Sequence, residues 1–193
     1  MPADPTTAKP LRADARRNRE RLLDAALALF LEAGPDVALE AVARRAGVGI
    51  GTLYRHFPTR EALVEAAYRS EVAHLCGAAD ELLRDRAPDA ALAAFMDRFV
   101  DYAAAKRGMK PMLMAVAESG SDVFADARDQ IVGAVATLVD AGISAGAIRS
   151  DVDAEDVLRA MGIVWSLPAG QEEQARRVLG IVMDGLRHGA RGG

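Results

Sequence analysis

Apolar residues recur at helical spacing along most of the chain, in segments that end at glycine or proline. In the first such segment Leu22, Ala26 and Phe30 share one face of a helix, and Gly34–Pro35 ends it. Glycine accommodates the left-handed end of a helix, and proline cannot continue one. The pattern therefore predicts an all-α chain of about nine helices. We expect these at residues 15–33, 38–46, 50–57, 59–86, 88–106, 109–118, 121–145, 153–167 and 171–188.

The composition also favours helices over strands. Hydrophobic residues make up 51% of the 193 residues, enough for a packed core, whereas aromatic residues make up only 5%. Alanine, leucine and arginine are abundant, and they lose little side-chain entropy in a helix. The single cysteine, Cys76, excludes an internal disulfide and fits a reducing compartment. Neither a signal peptide nor a membrane span is recognisable, so we expect a cytoplasmic protein.

Charge is distributed unevenly along the chain. The first 60 residues hold ten Lys and Arg against seven Asp and Glu, whereas the whole chain has a net charge of −4. A basic N-terminal part on an acidic remainder is typical of a chain whose first part meets phosphates, although chance scatter is an alternative. Arg12, Arg16 and Arg17 could reach a DNA backbone or minor groove, or could equally be solvated.

The segment from Leu39 to Arg60 has the plan of a helix-turn-helix motif, which is two short helices around a three-residue turn containing glycine. Gly47 permits a sharp exit from the first of these helices. Val48 stands alone between two glycines and is expected to pack beneath the turn. Gly49 takes the N-cap position of the next helix, where glycine is tolerated.

A helical wheel, at about 100° per residue, divides the second helix of the motif into two faces. Leu53 and Phe57 face the core, while the opposite face is small, polar and cationic. Such a face suits a helix lying in a major groove, although a plain helical hairpin with a solvated face would show the same spacing. The predicted DNA-binding residues are Ile50, Gly51, Thr52, Tyr54, Arg55, His56 and Arg60.

About residues 15–75 resemble the DNA-binding domain of the tetracycline-repressor (TetR) family. The resemblance lies in the first helix, in ARRAGV at the turn and above all in GTLYRHFPTREAL. It implies that some outward positions contact phosphates, namely Thr52, Tyr54, His56 and Arg60. It implies that others approach bases, namely Ile50, Gly51, Tyr54 and Arg55.

Two places depart from the family's pattern. Ala38 and Leu39 stand where Thr or Ser often opens the first helix of the motif, which removes a side-chain cap and a phosphate contact. Gly49 stands where Ser is frequent. Neither departure threatens the fold.

The last two predicted helices are too apolar to be covered by one neighbour. A helix that is apolar on all sides is buried on all sides, so a partner chain is expected to cover the second face. The alternative is a helix buried inside a monomer. The family resemblance implies a homodimer built as a four-helix bundle. The predicted dimer residues are Val157, Met161, Val164, Trp165, Val178, Ile181 and Val182.

The middle helices carry bulky and adaptable side chains that suit an apolar pocket. Ordinary core packing is the alternative for each of them. In the TetR family this region forms an effector pocket, so the resemblance implies a small-molecule effector. The predicted pocket residues are Phe95, Met96, Phe99, Tyr102, Met112 and Phe124.

The common enzyme signatures are missing from the sequence, which has no phosphate loop, HExxH pair, nucleophile elbow or cysteine cluster. His56, His74 and His188 are far apart, and Cys76 is expected to be a small buried hydrophobe. We therefore expect no enzymatic activity, no cofactor and no metal site.

The predicted function is that of a bacterial, sequence-specific DNA-binding transcriptional regulator. The resemblance implies a repressor that a small apolar effector releases from a palindromic operator; a helical adaptor, or an activator without an effector, is the alternative. We expect a flexible arm, a helix-turn-helix domain that extends into the helix starting near residue 59, an effector-binding and dimerisation domain, and a flexible tail. Their bounds are 1–14, 15–58, 59–188 and 189–193.

Overall fold

A computed structural model describes the backbone of residues 8–188 and the side chains of residues 13–188. Within this range it contains eight α-helices, one 3-10 helix and no strand, as the helical spacing predicts. The α-helices are α1 (Ala8–Ala33), α2 (Leu39–Arg45), α3 (Ile50–His56), α4 (Arg60–Asp85), α5 (Pro88–Glu118), α6 (Val123–Ser144), α7 (Ala154–Met161) and α8 (Glu172–Arg187). The 3-10 helix, Gly162–Ser166, follows α7 directly. No helix of the described residues is long and apolar enough to span a bilayer.

The chain divides into two compact units. The first unit comprises the described residues up to Ser70 together with Gly108–Ser121. The second unit comprises Glu71–Arg107 and the described residues from Asp122 onward. Helices α4 and α5 therefore each contribute residues to both units.

In the first unit, α1 packs against α2 and α3. Leu22, Ala26 and Phe30 on α1 are almost completely buried, as their spacing predicts. Gly34, with a φ of +79°, ends α1 in the left-handed conformation that glycine adopts without strain. The hydroxyl of Thr59 accepts a hydrogen bond from the amide of Ala62 at 3.1 Å and so caps the N-terminus of α4.

In the second unit, α6 has an extensive buried face and α7 packs against it. Ile148 reaches so close to α6 that a Cβ on Gly142 would lie 2.4 Å from its Cδ1, so glycine is needed there. The Arg149 amide donates to the carbonyl of Leu186 at 2.9 Å, which fixes the end of α8. The Arg107 side chain donates to the carbonyls of Val164 and Leu167, and so supports the 3-10 helix.

Three predicted boundaries differ from the structure. Helix α1 begins at Ala8, inside the predicted arm of residues 1–14, whereas residues 1–7 and the predicted tail at 189–193 lie outside the described residues. The predicted helices 88–106 and 109–118 are one helix, α5. Gly108 does not break it; a Cβ there would lie 3.0 Å from Leu31, so this glycine permits close packing instead.

The third difference concerns the predicted helix 153–167. The α-helix ends at Met161, and the 3-10 helix that follows turns the remaining side chains in new directions. A helical wheel that treats residues 153–167 as one continuous α-helix therefore assigns the side chains of residues 162–167 to the wrong faces.

Candidate nucleic-acid interface and ligand cavity

The turn between α2 and α3 is closed by two backbone hydrogen bonds. The amide of Val48 donates to the carbonyl of Ala43 at 3.0 Å, and the amide of Gly47 donates to the carbonyl of Arg44 at 3.1 Å. This pair of bonds is the Schellman motif, which places a left-handed residue just after the helix. Gly47 is that residue, with a φ of +68°, so its predicted role is confirmed. Val48 is half-buried at the turn.

Helix α3 presents the two faces that the wheel predicts. Leu53 is fully buried, and Phe57, directly after the helix, is 2% exposed. Tyr54 is 46% exposed although it is a large aromatic residue. The outward positions are exposed at Ile50, Gly51, Tyr54 and Arg55, and half-buried at Thr52 and His56. One continuous polar face of α3 is therefore open to a groove of DNA.

Arg55 is held along the surface of its own helix. Its Nε donates to the carbonyl of Gly51 at 3.3 Å, and its Nη2 donates to the hydroxyl of Thr52 at 3.0 Å. Both bonds draw the guanidinium toward the first turn of α3, the end of a recognition helix that meets base edges. A guanidinium has five N–H donors, so others stay available for the acceptors of guanine.

Arg60, a predicted DNA-binding residue, also has partners within its own chain. Its Nη1 donates to the carbonyl of Val37 at 2.7 Å, and its Nη2 donates to the carbonyl of Pro35. The guanidinium also lies 5.7 Å from the ring centroid of Phe30, within the range of a cation–π contact. Arg60 therefore stabilises the connection between α1 and α2. Its partners precede it by more than twenty residues, so local sequence gave no sign of them.

Other cations of the first unit are also engaged. Arg45 donates to both carboxylate oxygens of Glu32, at 2.5 and 2.8 Å, and this hydrogen-bonded pair lowers the pKa of Glu32. Of the N-terminal arginines that could contact DNA, Arg16 lies 3.6 Å from Glu20, and Arg17 pairs with Asp14. These exposed pairs are weak, so both arginines can exchange a carboxylate for a phosphate. The side chain of Arg12 lies outside the described part of the chain.

Sequence reasoning missed Arg19. Its guanidinium lies 5.4 Å from the ring centroid of Phe57, directly after α3. The packing of α1 against α3 brings this cation next to the candidate interface. A helical wheel of α1, which places the cations relative to Leu22 and Phe30, could have identified Arg19 from the sequence.

The second unit contains a cavity of about 500 Å³, a volume usual for sites that bind drug-sized molecules. Four aromatic residues line it: Phe99, Tyr102, Phe124 and Trp165. The ring of Trp165 meets those of Phe99 and Tyr102 edge to face, at centroid distances of 6.0 and 6.3 Å. Three of the six predicted pocket residues thus line one cavity. Trp165, predicted for the dimer interface, lines it as well.

The other three predicted pocket residues lie elsewhere. Phe95 is fully buried, and Met96 borders a smaller pocket of about 240 Å³ lined by residues of α5 and α8. Met112 belongs to the first unit, where it borders a pocket of about 210 Å³. The reason is the unbroken length of α5, which at about 1.5 Å per residue carries Met112 roughly 15 Å beyond Tyr102.

Charged side chains complete the lining of the 500 Å³ cavity. The Lys106 Nζ lies 4.9 Å from the ring centroid of Phe124 and 5.3 Å from that of Trp165. Glu155 lies 3.3 Å from Arg128 and 3.9 Å from Arg159. These last three side chains are more than half exposed, so they stand at the mouth of the cavity.

The predicted dimer residues divide into two groups. Val157, Met161 and Val164 are at most 1% exposed within their own chain, so a partner cannot contact them. They fill the core because α7 is short and packs on α6, which the prediction of a long helix did not allow for. Ile181 is 72% exposed on α8, with Val178 and Val182 half-buried beside it.

No group of three or more His, Cys, Asp or Glu side chains that could hold a metal ion occurs within the described residues. Cys76 is half-buried, and burial raises the pKa of its thiol to about 11. A thiol with that pKa stays protonated at neutral pH and is a poor nucleophile. Burial likewise raises the pKa of Glu71, in the second unit.

Comparisons with known proteins place both parts of the chain in one group. Residues 22–67 match the model of the bacterial regulatory proteins of the tetR family, and residues 87–188 match the C-terminal domain model described as transcriptional regulator SbtR-like. A TetR transcriptional regulator from Streptomyces coelicolor is 50% identical in sequence, with a TM-score of 0.81 over 88% of this chain and 98% of that one.

Two further relatives are similar over nearly the whole chain. A TetR regulatory protein from Mycobacterium vanbaalenii is 36% identical, with a TM-score of 0.77 over 92% of this chain and 99% of that one. The HTH-type transcriptional repressor KstR2 of Rhodococcus jostii is 28% identical over 96% of both chains.

Proposed function

The chain belongs to the tetR family of bacterial regulatory proteins, and from this premise we propose that it represses transcription from a palindromic operator until a small apolar effector releases it. The single observation that carries the proposal is the polar outward face of α3 above a buried Leu53 and Phe57. That the chain is a DNA-binding transcriptional regulator follows from the family itself. The direction of control, the operator symmetry and the effector are parts of the proposal.

On the DNA, each residue of α3 takes a role that its exposure supports. Thr52, Tyr54 and His56 donate to phosphates and fix the position of the helix. Ile50 and Arg55 approach base edges, and Gly51 lets the backbone come close. For Arg60 we favour a supporting role over a phosphate contact, because its guanidinium donates to two carbonyls between α1 and α2.

A homodimer explains both the predicted operator symmetry and the exposed apolar surface of α8. One short recognition helix covers too few bases for useful specificity, and helix-turn-helix proteins usually read two half-sites. Ile181 at 72% exposure, flanked by Val178 and Val182, is the kind of surface that a second copy covers. The repressor KstR2 of Rhodococcus jostii, to which the chain is similar over its full length, supports repression as the direction of control.

Effector control is supported by the cavity of about 500 Å³ in the second unit. A ligand shifts the protein between two states only by its difference in affinity for them, and the aromatic wall offers a surface on which such a difference can arise. Because the operator lies on bacterial DNA, the proposal places the protein in the cytoplasm.

Selection of bound fragments from random DNA by the full chain tests the proposal. We expect one enriched palindrome whose half-sites are about one helical turn apart or a multiple of it. The site should lie where a bound protein blocks a promoter, and in vitro transcription from that promoter should fall when the protein is added. Enrichment of no sequence, or stimulated transcription, would contradict the proposal.

A further inference from the structure

The charges at the mouth of the 500 Å³ cavity are unbalanced. Two arginines and one acid stand there: Arg128, Arg159 and Glu155. Glu155 alone is shared by Arg128 at 3.3 Å and Arg159 at 3.9 Å. One carboxylate cannot neutralise two guanidinium groups, so the mouth of the cavity keeps an excess of positive charge.

The interior of the cavity is apolar, in contrast to its mouth. Phe99, Tyr102, Ala127 and Ile131 are each at most 5% exposed, and they line the wall behind the charged residues. A molecule that fills this space must therefore offer an apolar body to the wall and can offer an anionic group to the mouth.

Lys106 argues against a cationic ligand. The faces of Phe124 and Trp165 are the parts of the wall that would attract a cation, but the Lys106 ammonium already lies 4.9 and 5.3 Å from their centroids. A second cation would have to compete with this ammonium for the same ring faces.

We propose that the cavity binds an apolar organic acid, whose carboxylate accepts hydrogen bonds from the remaining donors of Arg128 and Arg159 and whose hydrocarbon body lies against the aromatic wall. Arginine forms paired hydrogen bonds with a carboxylate, and two arginines that share a single internal acid have donors left for a second one. This inference rests on the proposed effector control and adds the charge of the effector to it.

Trp165 provides the readout, because it is the only tryptophan of the chain and lines the cavity. Three probes carry a ten-carbon chain and differ in the charge of the head group: decanoate, decanol and decyltrimethylammonium. We expect decanoate to change the fluorescence of Trp165 with about threefold to fivefold higher affinity than decanol, because contacts of exposed charges are weak, and the ammonium to bind most weakly.

The variant Arg128→Gln/Arg159→Gln removes the cationic mouth and keeps the apolar wall. Its affinity for decanoate should fall about threefold to fivefold, while its affinity for decanol changes by less than about 1.5-fold. The decanol measurement also shows that the variant is folded. Arg98→Gln is the matched control, since Arg98 is an exposed arginine of α5 that does not line the cavity. It should leave all three affinities unchanged.

Several results would overturn the inference: equal affinities for decanoate and decanol, tighter binding of the ammonium, full decanoate affinity in the double variant, or no fluorescence change with any probe. Failure of the proposed function looks different. If decanoate binds through Arg128 and Arg159 but the operator complex is unaffected, the ligand class stands and effector control does not.

Discussion

The Nη1 of Arg60 donates to the carbonyl of Val37 at 2.7 Å and so ties the first residue of α4 to the segment that precedes α2. The bond indicates that Arg60, which the family motif assigns to DNA, also supports the helix-turn-helix motif. A DNA-binding defect of an Arg60 variant can therefore have two causes, loss of a phosphate contact or loss of stability.

Replacing this side chain by Arg60→Gln should lower the free energy of unfolding by about 1–3 kcal/mol, because two backbone carbonyls lose a charged donor. Chemical denaturation measures this loss. The slope of log affinity against log salt for the operator should stay unchanged, since no phosphate contact is removed. Arg55→Gln is the control, with normal stability but weaker operator binding. A stable Arg60→Gln protein with a slope smaller by about one would show a phosphate contact instead.

Gly47 and Gly77 should respond in opposite ways to alanine. Gly47→Ala should destabilise the protein by about 1–2 kcal/mol, because Gly47 has a φ of +68°. Gly77→Ala should stabilise it by about 0.5–1 kcal/mol, because Gly77 is inside α4 and a Cβ there meets nothing within 4 Å. Melting temperatures of the two variants test the pair, and a neutral Gly47→Ala would contradict the geometry of the turn.

The sequence predicted those features that depend on neighbours along the chain. The period of α3 placed Leu53 and Phe57 inside, and Gly47 was recognised from its place between two helices. Contacts between segments that are distant along the chain could not be predicted from the sequence. Arg60 meets Val37, and Gly108 meets Leu31. In each case a residue type with a familiar local meaning has a different role set by tertiary packing.

The same distinction applies to the second unit. Sequence pattern found aromatic residues for a cavity, but only the folded chain shows that Trp165 joins Phe99 and Tyr102. The position of Trp165 depends on the change from α-helix to 3-10 helix after Met161, because this change alters the direction of its side chain relative to that of Val157. Such a change depends on packing and on Arg107, whose hydrogen bonds hold the far end of the 3-10 helix.

The stability that Glu32 contributes should depend on pH. Its pKa is lowered by the hydrogen bond from Arg45, so the contribution is present above the unfolded-state pKa and is lost as pH falls through the lower folded-state value. Glu32→Gln should therefore melt at a lower temperature than the natural chain at pH 7, and this difference should shrink with increasing acidity. Glu81→Gln, at an exposed acid near the end of α4, is the control. A difference that grows toward acid pH would contradict the assignment.

Ile181→Asp should convert the proposed dimer into monomers. A carboxylate at a position that is 72% exposed costs little in the monomer but is unfavourable inside an apolar interface. We expect the dimer dissociation constant, measured by sedimentation, to rise at least about thirtyfold, as for a central interface residue. Met114→Asp, at an exposed apolar residue of α5, should leave it unchanged. An Ile181→Asp protein that sediments as a dimer would exclude this face as the interface.

Operator affinity as a function of salt concentration tests the central claim most directly, which is that the outward face of α3 contacts DNA. Tyr54→Phe/His56→Ala removes two phosphate donors from that face and leaves the buried Leu53 and Phe57 in place. We expect the double variant to bind the operator at least about tenfold more weakly at every salt concentration, because the phosphates lose two hydrogen-bond donors. An unchanged operator affinity in a folded double variant would contradict this expectation.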